Sequence, residues 1–88
     1  MPTLSIFFGI VVRMWHDDHP PAHIHAEYQG FEALVSIDTG EVIQGKLPTK
    51  AARILKEWCA THNEELRNNW IKAQNYQTLD RIQGADYD

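Results

Sequence analysis

The sequence predicts a small α+β domain: an antiparallel β-meander of three to four strands covered on one face by one long C-terminal helix, or by two in tandem. Three observations carry this. The first half of the chain holds apolar, β-branched runs that alternate with a period of two. Glycine- and proline-containing turns separate them, and the second half changes to helical spacing of its apolar residues. Eighty-eight residues make one domain, which we assign to residues 1–76, followed by a polar tail over 77–88.

Residues 6–16 read as a strand in which Ile10, Val12 and Met14 alternate with Val11, Arg13 and Trp15, and Gly9 either bulges it or starts it afresh. Asp17 to Ala22 then turns the chain, stiffened by Pro20 and Pro21. From His23 to Tyr28 the residues alternate again, with His23, His25 and Glu27 on one side and Ile24, Ala26 and Tyr28 on the other. After a Gln29-Gly30 turn, Phe31, Ala33, Val35 and Ile37 form an inward face, and Thr39-Gly40 leads into a returning strand from Glu41 to Leu47. Such a meander has one face to cover.

The cover comes from the helical half. Thr49, after Pro48, is the expected N-cap. Ala51, Ile54, Leu55, Trp58, Cys59, Leu66, Trp70 and Ala73 form a stripe wide enough to lie on the sheet, with His62 inside it. Asn63 followed by Glu64-Glu65 also suits the start of a second helix, so both arrangements stay open. The tail is expected to fray, with Leu79 and Ile82 as its candidate anchors.

Composition narrows the function classes. Hydrophobic residues make up 43% of the chain, with three each of Trp, Tyr and Phe, too many for a disordered segment. Cys59 is the single cysteine, so no intramolecular disulfide forms. The opening MPTLSIFFG lacks a secretory signal, and the apolar run Leu4 to Val12 is half of what a membrane span needs. These features predict a cytoplasmic protein with no membrane association. The net charge of −4 disfavours nucleic acid as a partner, although local basic patches leave it open.

The chemistry concentrates in one segment. His16, His19, His23 and His25 fall within ten residues, beside Asp17 and Asp18. Two imidazoles at i and i+2 on a strand point to the same face, and a third ligand from the preceding loop completes a site for a divalent ion such as Zn²⁺ or Ni²⁺. The expected ligands are His19, His23 and His25, with Asp18 and Glu27 as further candidates, Glu27 also as an outer acceptor. The plain alternative has these histidines pairing with Asp17, Asp18 and Glu27. A third has them as acid and base without metal, Arg13 supplying the cation.

Other groups are weaker candidates. Lys46, Lys50, Arg53 and Lys56 gather at the start of the helix, where an anion such as phosphate would offset their conflict with the helix dipole; we name Lys46, Lys50 and Arg53 as its site. The alternative is a solvated basic face. Asp38 and Glu41 read as turn chemistry, Trp58 and Trp70 as core, and Cys59 as a small core hydrophobe. Ile71, opposite the apolar stripe, hints at a contact with another chain.

The opening MPTLSIFFGIVVRMW, the segment DDHPPAHIHAEY, the hairpin FEALVSIDTGEVIQGKLP and the helical LKEW together resemble the bacterial family "domain of unknown function 4160", over about residues 1–72. By that match Asp18, His19, His23, His25 and Tyr28 are the positions carried over. The chain departs from the pattern at Ala22, where a second proline is expected directly before His23, and at His16, where an aromatic is more usual. The resemblance implies a small protein of a two-gene, toxin–antitoxin-like module, acting beside a small protein encoded by a neighbouring gene.

Three functions follow as expectations. The first is a binding or regulatory component of such a module. The second is its toxin half, a metal-dependent or histidine-based nuclease or hydrolase. The third is a metal-binding protein without catalysis.

Overall fold

The structure is a computed structural model and describes residues 2–86. Five strands form one antiparallel sheet in the order β1-β2-β3-β4-β5, followed by two helices. The strands are β1 (Thr3–Phe7), β2 (Ile10–Arg13), β3 (His23–Tyr28), β4 (Phe31–Ser36) and β5 (Val42–Gly45). The strand expected over 6–16 is in fact the hairpin β1–β2. Phe8 and Gly9 both take positive φ, 50° and 78°, and close a two-residue turn of the mirror-image type that suits strand twist. Phe8 is an unusual residue there, and its apolar side chain made the turn read as continuous strand.

Of the inward face expected for β4, Ala33 and Val35 are buried, as is Ile37 just beyond the strand, whereas Phe31 sits at the hairpin tip and is exposed. In β5, Ile43 is an extra residue in the pairing with β4, since Leu34 faces Gln44 and Val35 faces Val42.

The helical half resolves as two helices in tandem, α1 (Thr49–Thr61) and α2 (Asn63–Gln74). Thr49 is the first helical residue and not the cap. That position falls to Pro48, and no side chain caps it. His62 ends one helix and starts the next. Its N–H donates to the Trp58 carbonyl at 2.9 Å, and its own carbonyl accepts from the Leu66 N–H at 3.0 Å. Glu64 and Glu65 in the first turn of α2 and Lys72 in the last complement its dipole.

One core joins the layers. Ile10, Val12, Ile24 and Val35 of the sheet, with Met14 just after β2, pack with Leu55, Trp58, Cys59, Leu66 and Ala73 of the helices. Phe7 lies against Trp58 with ring centroids 4.9 Å apart. Burial pushes the Cys59 thiol up to about 12, in keeping with a packing role.

The segment after α2 does not fray over residues 77–86. Ile82 is buried in the core, and its N–H donates to the Leu4 carbonyl at 2.8 Å. The Trp58 indole N–H donates to the Gln83 carbonyl at 2.8 Å. Asn69, fully buried on α2, exchanges two hydrogen bonds of 2.9 Å with the Asp80 backbone. The rest of the expected tail, residues 87 and 88, lies outside the described residues. No described helix is long and apolar enough to cross a membrane.

Candidate metal centre

The register of the sheet places His25 opposite Arg13 of β2 and Leu34 of β4. The pleat sends His23 and His25 to the same side of β3, away from Ile24 and Ala26 in the core. One element far away in sequence, the end of α2, shapes the loop before β3. The Asp17 N–H donates to the Ala73 carbonyl at 3.1 Å, and the Gln74 side-chain amide donates to the Asp18 carbonyl at 3.1 Å. The end of α2 therefore holds the Asp17-Asp18 turn against β3. The Asp18 carboxylate also accepts the His19 N–H through Oδ1 at 2.8 Å, leaving Oδ2 to face the histidines.

Both imidazoles meet that one oxygen. His23 Nε2 lies 2.9 Å and His25 Nε2 3.0 Å from Asp18 Oδ2. Asp18, His23 and His25 each offer a ligand atom within 4.8 Å of the other two. Around one ion with bonds of about 2.0–2.2 Å, ligand atoms stand roughly 3–3.5 Å apart, so these groups lie close enough to hold a divalent metal.

The hydrogen-bond chemistry of His23 adds a second constraint. Its Nδ1–H donates to the Pro21 carbonyl at 2.7 Å. A neutral imidazole carries one proton, so Nε2 then presents its lone pair to a carboxylate oxygen, which only accepts. Two acceptors cannot bond. The contact is satisfied by a proton between the two atoms, carried by either group, or by a cation between Nε2 and Oδ2. A histidine whose far nitrogen is tied to a backbone carbonyl is also how proteins fix a metal-ligating ring.

The ring of His23 is almost fully buried and packs against Trp70 with centroids 5.3 Å apart, while His25 is partly exposed beside Trp15. Burial alone would raise the Asp18 carboxyl. The hydrogen bond from His25, that from the His19 backbone, and His23 together outweigh it and hold the group below its ordinary value.

Of the residues singled out in the sequence, the fold brings together His23, His25 and Asp18. His19 is exposed and outside the trio. Glu27 is engaged by the Arg13 guanidinium across β2 and β3. The His16 ring stacks on Tyr76 and reaches the Gln77 carbonyl at 2.9 Å. His62 pairs with Glu65 at 2.7 Å. Lys46, Lys50 and Arg53 are exposed and make no ion pair among the described residues. Trp70 and Gln74, which wall and hold the site, were not marked as site residues. Trp70 reads as core by its helical spacing, Gln74 carries no signal of its own, and nothing local ties α2 to residues 17–23.

Beside His25, on the sheet face opposite the helices, lies an open groove of about 520 Å³ whose lining includes Arg13, Trp15, Glu27, Leu34 and Gln44. Neither the curated proteins nor the solved structures yield a match to this chain. The family described as "Domain of unknown function (DUF4160)" matches residues 9–71, a span that runs from the β1–β2 turn through the histidine strand and most of α2. The chain belongs to that family.

Proposed function

We propose that this protein binds a divalent cation of the Zn²⁺ or Ni²⁺ type through Asp18 Oδ2, His23 Nε2 and His25 Nε2, and that it serves as the binding component of a two-protein, toxin–antitoxin-like module. The observation that carries the metal reading is the donor arrangement at His23. Its Nδ1 is spent on the Pro21 carbonyl, and its Nε2 meets the same carboxylate oxygen as His25. Two imidazoles and one carboxylate form a donor set used for zinc and for other first-row metals, and they leave at least one position on the ion for water or a ligand. A bound ion would supply Lewis acidity there and lower the pKa of that water. The chain's own part is to orient the ligands. Pro21 sets the tautomer of His23, Trp70 shields its ring, and α2 fixes Asp18.

Calorimetric titration with Zn²⁺, on protein prepared without a histidine tag, tests this reading. One ion per chain is expected, with proton release and loss of binding in mild acid as the imidazoles protonate. His25→Ala and Asp18→Asn, both at partly exposed positions, should weaken binding at least about tenfold while leaving the circular dichroism spectrum unchanged. Unaltered affinity in both variants rejects the centre. Co-expression with the product of the neighbouring gene tests the second half, and a stable equimolar complex on gel filtration is expected.

The groove beside His25 supports the hydrolase alternative, because a substrate lying in it would rest against one of the three candidate ligands. Hydrolysis of a phosphodiester by the loaded protein, abolished in His25→Ala, would establish that reading instead.

A further inference from the structure

The outer side of β5 is a bare strand edge. All of Val42–Gly45 is exposed, including the side chains of Val42 and Ile43. On the inner side, the Ser36 N–H donates to the Glu41 carbonyl at 2.9 Å and the Lys46 N–H to the Glu32 carbonyl at 3.0 Å, so pairing with β4 reaches one residue beyond each end of the strand. No described strand lies beyond β5. Such an edge presents backbone donors and acceptors in the plane of the sheet, ready for another strand.

The charge around this edge differs from that of the molecule. Residues 42–56 hold Lys46, Lys50, Arg53 and Lys56, four of the chain's eight cations, and no Asp or Glu, in a chain of net charge −4. The fold sets this stretch alongside the edge. Lys46 follows β5 directly, α1 begins three residues later, and the Lys56 ammonium reaches back to Glu41 at 2.5 Å. The first turns of α1 thus run back along β5 from its end to its start, carrying Lys50 and Arg53 exposed to solvent. The first turn of α1 has no acidic residue and no side-chain cap, so its dipole adds to the positive field.

We infer that β5 is the seat of an acidic, extended segment of a partner protein, which joins the sheet as an added strand while its carboxylates meet Lys46, Lys50 and Arg53. The inference rests on the reading of the chain as one half of a protein pair and is independent of the metal centre. Backbone pairing along the edge supplies affinity, and the exposed Val42 and Ile43 offer alternate side-chain contacts. A second copy fits poorly, because antiparallel pairing of two β5 edges brings two basic stretches together. Nucleic acid fits less well than peptide. Residues 42–56 contain no aromatic side chain on which a base could stack, and a strand edge recognises backbone amides.

The probes are two synthetic peptides of about ten residues, one alternating Val with Glu and its counterpart alternating Val with Lys, together with a single-stranded oligo-dT. They are titrated into the ¹⁵N-labelled full chain and read by amide shifts and hydrogen exchange. The acidic peptide is expected to shift and protect amides of residues 42–46, and added salt should weaken it. The double variant Lys50→Glu/Arg53→Glu should lose at least about tenfold in affinity while keeping its Zn²⁺ titration. Equal binding of the Lys peptide, tighter binding of oligo-dT at the same amides, or no peptide binding at millimolar concentration overturns the proposal. Acidic-peptide shifts confined to another surface overturn β5 as the seat and leave the protein-partner reading standing, which the co-expression experiment judges separately.

Discussion

Strands β1 and β5 end the same sheet, and the chain finishes them in opposite ways. Along β1 the segment after α2 returns, donates the Ile82 N–H to Leu4, buries the Ile82 side chain and brings Gly84 against Phe7 and the Ile6 carbonyl. Along β5 no described strand or segment pairs with the outer edge, and α1 only runs back past it. An uncovered strand edge invites association, and proteins usually blunt it with charge, a bulge or a covering segment. Here β1 receives the covering segment, while β5 has the bulge at Ile43 and nearby lysines. The first device closes an edge to every partner. The second closes it only to partners of like charge, which is a form of selection.

The comparison breaks most severely if the cover of β1 is removed. Ile82→Ala deletes a buried aliphatic side chain from the core and should cost about 2–4 kcal/mol, a large part of a margin of roughly 5–10 kcal/mol for a domain of this size. Urea denaturation would measure it as a lower midpoint with an unchanged slope. A cost below about 0.5 kcal/mol, the scale of a surface substitution, would mean that 77–86 is not part of the cooperative fold.

Asn69→Ala sharpens the same point through hydrogen bonding. The side chain holds both the N–H and the carbonyl of Asp80 and is itself fully buried. Its loss leaves Asp80 to find water and opens a small void, with an expected cost of about 1–3 kcal/mol. Hydrogen exchange should become faster at Asp80 and Ile82 before it changes in β3. Uniform acceleration would instead place the segment and the sheet in one opening unit.

What the sequence disclosed about the site follows the same division between local and distant causes. His23 and His25 were legible as a same-face pair because a strand's alternation is local, and no distant contact can reverse it. The third corner was legible only as a choice, with His19 first and Asp18 as a further candidate. Asp18 and His19 are neighbours in a turn, and which of them faces β3 depends on Ala73 and Gln74, the latter 56 residues away. The loop motif alone favoured the imidazole, and the end of α2 selected the carboxylate. Likewise the helix break at His62 left its mark in the sequence, as Asn63-Glu64-Glu65, whereas the Phe8-Gly9 turn was hidden by a side chain of the wrong polarity for a turn. The docking of Ile82 on Leu4 joins the two ends of the chain, and no spacing rule reaches that far.

The smallest expected effect lies on the bare edge, and it is the most discriminating. Ile43→Thr keeps the β-branch and the strand propensity of an exposed side chain, so it should change the stability of the isolated protein by no more than about 0.5 kcal/mol in either direction. The same residue type at position 82 costs several times that when truncated, because there it is covered. If Ile43→Thr instead lowers the thermal midpoint by several degrees, and the midpoint of the parent protein rises with protein concentration, then β5 is covered in solution by a second copy. The asymmetry between the two edges would then belong to the single chain and not to the working assembly.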